Sequence, residues 1–180
     1  MSDLLDGSGR PGVLHSGLRW LPLGFAAILL DQITKQIILN TMALHESFTV
    51  LPVLDIVHAR NPGAAFSFLA GADGWQRWLF TGFALVVSLV LLVWLSRLDG
   101  RVQKLQSAGL TLIVSGALGN VIDRFRHGNV VDFVAVHWGD AWFPAFNVAD
   151  SCITVGAGLI LLDALLDAYR ARRAASERAR

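Results

Sequence analysis

Four stretches of the chain are apolar for long enough to cross hydrocarbon as helices: about Trp20 to Leu44, Trp78 to Leu95, Leu105 to Ile122 and Ser151 to Tyr169. A crossing takes about 20 mostly apolar residues, because about 30 Å of hydrocarbon is covered at about 1.5 Å per residue. Between the first two, Phe48 to Phe68 is rich in β-branched and aromatic residues and contains Asn61-Pro62-Gly63-Ala64, with Pro and Gly where a type II turn wants them. Between the last two, Val130-Val131-Asp132-Phe133-Val134 has strand composition and leads into the aromatic stretch Trp138 to Phe146. The pattern predicts an all-α membrane protein of four transmembrane helices with a small extracytoplasmic β-sheet or hairpin and loops.

Composition agrees. The 180 residues are 54% hydrophobic and 16% charged, against about 25% charged in a soluble domain. The first apolar run is too long for a cleavable signal peptide and holds Asp31 and Lys35, so it is expected to stay in the mature protein. With no internal repeat, the expected organisation is a flexible tail over 1–17, a single membrane domain over 18–170 and a basic tail over 171–180. A net charge of +1 gives no global field for nucleic acid, so Lys and Arg matter by position. Positive charge concentrates at the N-terminus, in the Arg97–Lys104 loop and from Arg170 onward, which puts both termini in the cytoplasm and segments 45–77 and 123–150 outside. The Trp residues lie near segment ends, at headgroup depth: Trp20 and Trp94 inside, Trp75, Trp78, Trp138 and Trp142 outside.

Ionisable residues at membrane depth are costly and face the protein interior. Asp31 and Lys35 lie four apart on one helix face, acid first, the favourable order for an ion pair that orients the helix. Asn120, Asp123 and Arg124 close the third span and read first as a tie between helix end and outer loops. Asp132 stands alone in an apolar strand, where desolvation favours its neutral form. Asp150 follows Asn147 by three residues, an N-cap followed by an acid at N3, and capping alone would account for it. Together the two acids form a candidate pair, since carboxylates brought close share a proton and one can activate water while the other polarises a carbonyl. Cys152 has no disulfide partner, no Cys/His spacing fits zinc, and neither His-Glu-x-x-His nor Gly-x-Ser-x-Gly occurs. His58, His127 and His137 read as interface or loop residues, and Asp163 fits neither cluster.

Five motifs in this order resemble lipoprotein signal peptidase, the type II signal peptidase of bacteria: Asp31 to Lys35, Asn61 to Phe66, Gly116 to Arg124, Val130 to Phe133 and Phe146 to Asp150. The resemblance implies an aspartic endopeptidase with Asp132 and Asp150 as catalytic residues. It implies that Asn61, Gly63, Asn120, Arg124 and Asn147 line the site, and that Asp31, Lys35 and Asp123 support it. It further implies a prolipoprotein substrate cut just before its diacylglyceryl-modified cysteine, at the periplasmic face of the bacterial inner membrane. Cyclic peptides of the globomycin type are the implied inhibitors; membrane lipid surrounds a monomer, with no metal or cofactor. A small ion-coupled carrier or a non-enzymatic scaffold would explain the intramembrane charges differently, and a lipidated-precursor assay separates both from a protease. A presenilin-like protease places Gly-x-Gly-Asp within a helix, whereas Gly139-Asp140 falls in an outer loop here.

The topology is open to direct test. A reporter fused after Gly71 or Gly139 is expected outside the cytoplasm, and one after Gly100 or Ala175 inside. A cytoplasmic signal from the loop beyond Asp132 would reverse the orientation.

Overall fold

The structure, a computed structural model, describes residues 12, 15–62 and 75–178. Its long helices are α1 (Leu21–Thr41), α2 (Trp75–Arg97), α3 (Lys104–His127) and α4 (Val148–Arg178), and its strands are β1 (Ser47–Leu51), β2 (Leu54–Asn61), β3 (Val130–Trp138) and β4 (Ala141–Trp142). All four helices are long and apolar enough to span a membrane. Each of α2, α3 and α4 extends past its hydropathy window, because hydrogen bonding continues where apolar sequence stops. Helix α3 runs to His127 and is closed by Gly128, whose φ of 80° is the left-handed cap that glycine accepts. Helix α4 continues through the basic segment to Arg178.

Helix α3 is the axis. Inside the protein it buries 56% of its membrane-length window, against 11–22% for the others. A helix surrounded by protein can be less apolar than one facing lipid, provided its polar groups are satisfied. Thr111 and Ser115 on α3 return their hydroxyls to the carbonyls four residues back. Without a hydrophobic force between helices in lipid, close packing has to supply the attraction. A Cβ on Gly109 would lie 2.7 Å from the Gly156 carbonyl oxygen, and one on Gly116 would collide with the Ala149 carbonyl. On the outer faces, Phe25, Leu30, Ile33 and Ile37 of α1 and Phe83, Val86, Leu89 and Val90 of α2 are exposed, as residues meeting lipid should be.

The antiparallel sheet has order β1-β2-β3-β4. Strand β2 pairs with β3 from Leu54 opposite Val136 to Asn61 opposite Val130, with an irregularity between Ile56 and Ala59. Val131 and Phe133 pack with Ile38 and Met42 into a cluster that roots the sheet on α1, each buried side chain contributing about 1.5–3 kcal/mol. The hairpin reverses at Pro52-Val53. Asn61 ends β2, and the turn expected over Asn61–Ala64 falls partly on residues 63–64, outside the described residues. Ser16 and Gly17, expected in the loose tail, are buried instead: Ser16 bridges to Asp99 and the Gly17 N–H donates to the Leu98 carbonyl. His58, expected at an interface or in a loop, is buried on β2 with Nδ1 3.0 Å from the Met42 carbonyl oxygen.

The glycine contact between α3 and α4 yields a paired test. A side chain at Gly156 would meet the Gly109 carbonyl oxygen at 2.5 Å and Ile113 at 2.8 Å, whereas Gly158 on the same helix has open space. Gly156→Val is expected to cost about 1–3 kcal/mol and lower Tm by several degrees. Gly158→Val should leave Tm near that of the parent. Equal melting of the two variants would show that backbone proximity does not hold α4 to α3.

Candidate active site

Strand alternation puts Val131 and Phe133 on the face packed against α1 and turns Asp132 to the other, toward the C-terminal end of α3 and the N-terminal end of α4. There Asp132 is only 3% exposed. Asn147 stands just before α4 and holds the surroundings together. Its Nδ2 donates to Asp132 Oδ1 at 2.7 Å, to the Val131 carbonyl at 3.2 Å and to Asn120 Oδ1 at 3.3 Å. Its Oδ1 accepts from the Asp150 N–H at 2.9 Å, and its own N–H donates to Asp150 Oδ2 at 3.2 Å. That exchange is a capping box with aspartate as the N3 acid. One asparagine thus touches both acids, and its position is fixed because Phe146 is paired through its backbone with Phe133 and Val134 of β3.

Asn120 of α3 completes the bridge, donating from Nδ2 to Asp150 Oδ1 at 2.8 Å. Behind it Lys35 Nζ lies 3.0 Å from Asn120 Oδ1, 2.9 Å from Asp31 Oδ2 and 2.8 Å from Asp123 Oδ2. The expected Asp31–Lys35 pair is therefore part of a three-residue ion cluster. Asp31 Oδ1 also accepts from the Ala149 N–H at 2.9 Å, and Asp123 Oδ2 from the Val131 N–H at 3.1 Å. Arg124 donates weakly to the Asn120 carbonyl at 3.4 Å, sits over the Phe80 ring and keeps a buried Nε without a partner among the described residues. Asn61 hydrogen-bonds Asp132.

Burial, and then the charge of Asp150, push the Asp132 carboxyl up from its ordinary 3.8 to about 7, against the opposing hydrogen bonds from Asn61 and Asn147 and the charge of Lys35. Asp132 can therefore hold a proton near neutrality, as the acid of a two-carboxylate site requires. An apolar cavity of about 430 Å³, lined by Phe143, Phe146, Asp150, Ser151, Thr154 and Val155, opens beside Asp150.

Of the sequence-expected residues, Asn61, Asn120, Asn147, Asp132, Asp150, Asp31, Lys35 and Asp123 join one network with Arg124 at its edge, while Gly63 lies outside the described residues. Sequence reasoning missed Gln32, whose Nε2 reaches Asp31 Oδ2 and Asp123 Oδ1, each at 3.1 Å, and the Gly119 carbonyl at 3.3 Å. Its signal was an amide at membrane depth beside an acid. Phe143 and Phe146 belong to the aromatic stretch that the sequence showed without a role, whereas Thr154 and Val155 carry no sequence signal beyond being small or apolar.

A family model described as signal peptidase (SPase) II matches residues 23–166. Lipoprotein signal peptidases of Shewanella pealeana and Shewanella halifaxensis are 51% and 50% identical to the chain over 151 residues, each covering 84% of this chain and 88% of the relative. A solved structure, titled a bacterial membrane enzyme structure by the in meso method at 2.3 Å resolution, superposes with a TM-score of 0.72 at 34% identity, over 82% of this chain and 88% of that one.

The raised Asp132 carboxyl has a consequence for stability. Between the unfolded value of 3.8 and about 7 the folded state binds a proton that the unfolded state has released. Stability is thus lost as pH rises through that window. Asp132→Asn removes this dependence, so its Tm relative to the parent is expected to climb from about pH 4 to about pH 8. A Tm difference that does not change with pH would contradict the buried, proton-holding Asp132.

Proposed function

The chain belongs to the signal peptidase II family, and we propose that it removes the signal peptide of prolipoproteins by aspartyl hydrolysis at Asp132 and Asp150. The observation that carries this reading is the bridge of Asn147 and Asn120, which ties a proton-holding acid on a strand to a second acid in the first turn of a helix. In such a site one carboxylate takes a proton from water as the water oxygen attacks the scissile carbonyl carbon. The other carboxyl gives its proton to the carbonyl oxygen, forming a gem-diol. Collapse then breaks the C–N bond: the nitrogen gains a proton from the first acid and the second regains its own from a gem-diol hydroxyl.

The substrate fits the place. A signal peptide is itself an apolar helix, so its outer end must be reached from the bilayer plane, and both acids stand where the helices end and the sheet begins. Cleavage falls before the diacylglyceryl-modified cysteine, with the acyl chains leaving toward lipid past the apolar cavity at Phe143, Phe146 and Val155. On this reading Asn61, Gly63 and Arg124 line the path of the substrate backbone, residues 18–170 form one monomeric catalytic unit, and globomycin-type cyclic peptides compete for the same cleft. The unit sits in the bacterial inner membrane with both termini in the cytoplasm and the site on the outer side.

The test is hydrolysis of a diacylglyceryl-modified precursor by purified protein. Asp132→Asn and Asp150→Asn are each expected to lose at least about 100-fold in kcat with membrane insertion unchanged. Substantial turnover by either variant sinks the aspartyl mechanism.

A further inference from the structure

We infer that Lys35 is a positioning residue that fixes the Asn120 amide and thereby assigns the two aspartates their roles, Asp150 as base and Asp132 as acid. The inference rests on the aspartyl reading above and goes beyond it by breaking the symmetry of the pair.

An asparagine amide has one accepting oxygen and one donating nitrogen, and its orientation is decided by its neighbours. Lysine has three donors and no acceptor. Lys35 Nζ, 3.0 Å from Asn120, therefore faces Oδ1, and so does the Asn147 Nδ2 at 3.3 Å. Turning the amide over would set its N–H groups against an ammonium and a second amide nitrogen. The nitrogen is left to point the other way, onto Asp150 Oδ1 at 2.8 Å. Asp150 Oδ2 meanwhile accepts the Asn147 N–H. Both oxygens of Asp150 thus receive N–H groups, in the first turn of a long helix where negative charge is favoured. These are the partners of a carboxylate.

Asp132 differs in surroundings. It is more deeply buried on β3, its carboxyl is pushed up to about 7, and its neighbours include the charge of Asp150. The charged groups facing the pair come from three directions: Lys35 and Asp31 on α1, Asp123 and Arg124 on α3, and each acid toward the other. With the roles assigned, Asp150 takes the proton from water while Asp132 delivers its proton to the carbonyl oxygen. In the collapse of the gem-diol, Asp150 returns the proton to the departing nitrogen and Asp132 recovers one from a hydroxyl.

Two variants test this by the pH profile of kcat/KM on a lipidated precursor. Asn120→Asp keeps an oxygen for Lys35 but presents an acceptor, instead of a donor, to Asp150. The triple change Lys35→Met, Asp31→Asn, Asp123→Asn removes the ammonium without stranding either acid and leaves the amide free to turn. In both, the acid limb, which reports protonation of the base, is expected to move up by about one pH unit, a tenfold change in proton affinity. Lys35→Arg, which keeps charge and donors, should restore the parent limb more fully than the triple change. If Lys35 and Asn120 are merely structural, Tm and the plateau fall while the limbs stay in place, and that result overturns the inference. Should the triple variant fail to fold, Asn120→Asp alone decides. Retained turnover in Asp132→Asn or Asp150→Asn would remove the aspartyl reading itself, an outcome separate from unmoved limbs in enzymes that still need both acids.

Discussion

The end of the helix bundle that adjoins the sheet depends on compensating one buried ammonium. A lysine within a membrane helix costs about 2.5–3.5 kcal/mol on insertion scales, and Lys35 meets that with Asp31, Asp123 and Asn120, one partner for each of its three N–H groups. Each carboxylate then reaches further. Asp31 takes the Ala149 N–H at the start of α4, and Asp123 takes the Val131 N–H at the start of β3. Those two segments carry Asp150 and Asp132. The distance between the acids is therefore inherited from the geometry of the ion cluster, and loss of either partner would leave charge uncompensated at about 3–5 kcal/mol. Gln32, donating to both supporting acids, spreads the remaining negative charge.

The same economy governs the helices. Lipid gives no hydrophobic reason for α1, α2 and α4 to gather on α3, so contact relies on backbones close enough for dispersion and on a few polar ties. Gly109 and Gly156 face each other, Gly24 packs on Thr111 and Ser115, and Gly119 leaves room for the Asp31 carboxylate. These small residues explain why α3 can be the least lipid-exposed helix and still carry Ser107, Thr111, Ser115 and Asn120.

What the sequence made legible was whatever depends on residues near one another along the chain. Span lengths follow from hydropathy, the Asp31–Lys35 pair from four-residue spacing, and the Asn147–Asp150 cap from three. The Asn147 bond to Asp132 crosses 15 residues and the Asp31 bond to Ala149 crosses 118, and no local rule reaches so far. The hairpin reversal between β1 and β2 falls at Pro52-Val53, which sequence composition did not single out, and β2 runs on to Asn61 because it is held along its length by β3. His58 is hidden for the same reason, carried inward by the strand that contains it. That the two acids form a candidate pair could be argued from the chemistry of like carboxylates, while the set of residues lining the site came through family resemblance.

On the aspartyl reading, placing one acid on a strand and the other in a helix's first turn solves a problem that two like groups create. Identical carboxylates in identical surroundings would exchange roles freely, and half the encounters with substrate would find the proton on the wrong one. A helix N-terminus offers unsatisfied N–H groups and a favourable dipole, which suit an anion. A buried strand position offers neither and suits a neutral acid. The membrane restricts where both supports can meet water: only at the rim, where α3 gives way to β3 and the chain returns through Phe146 into α4. On the proposed reading that rim is also where a membrane-borne peptide exposes the end of its apolar run, so substrate access and proton asymmetry would select the same few residues.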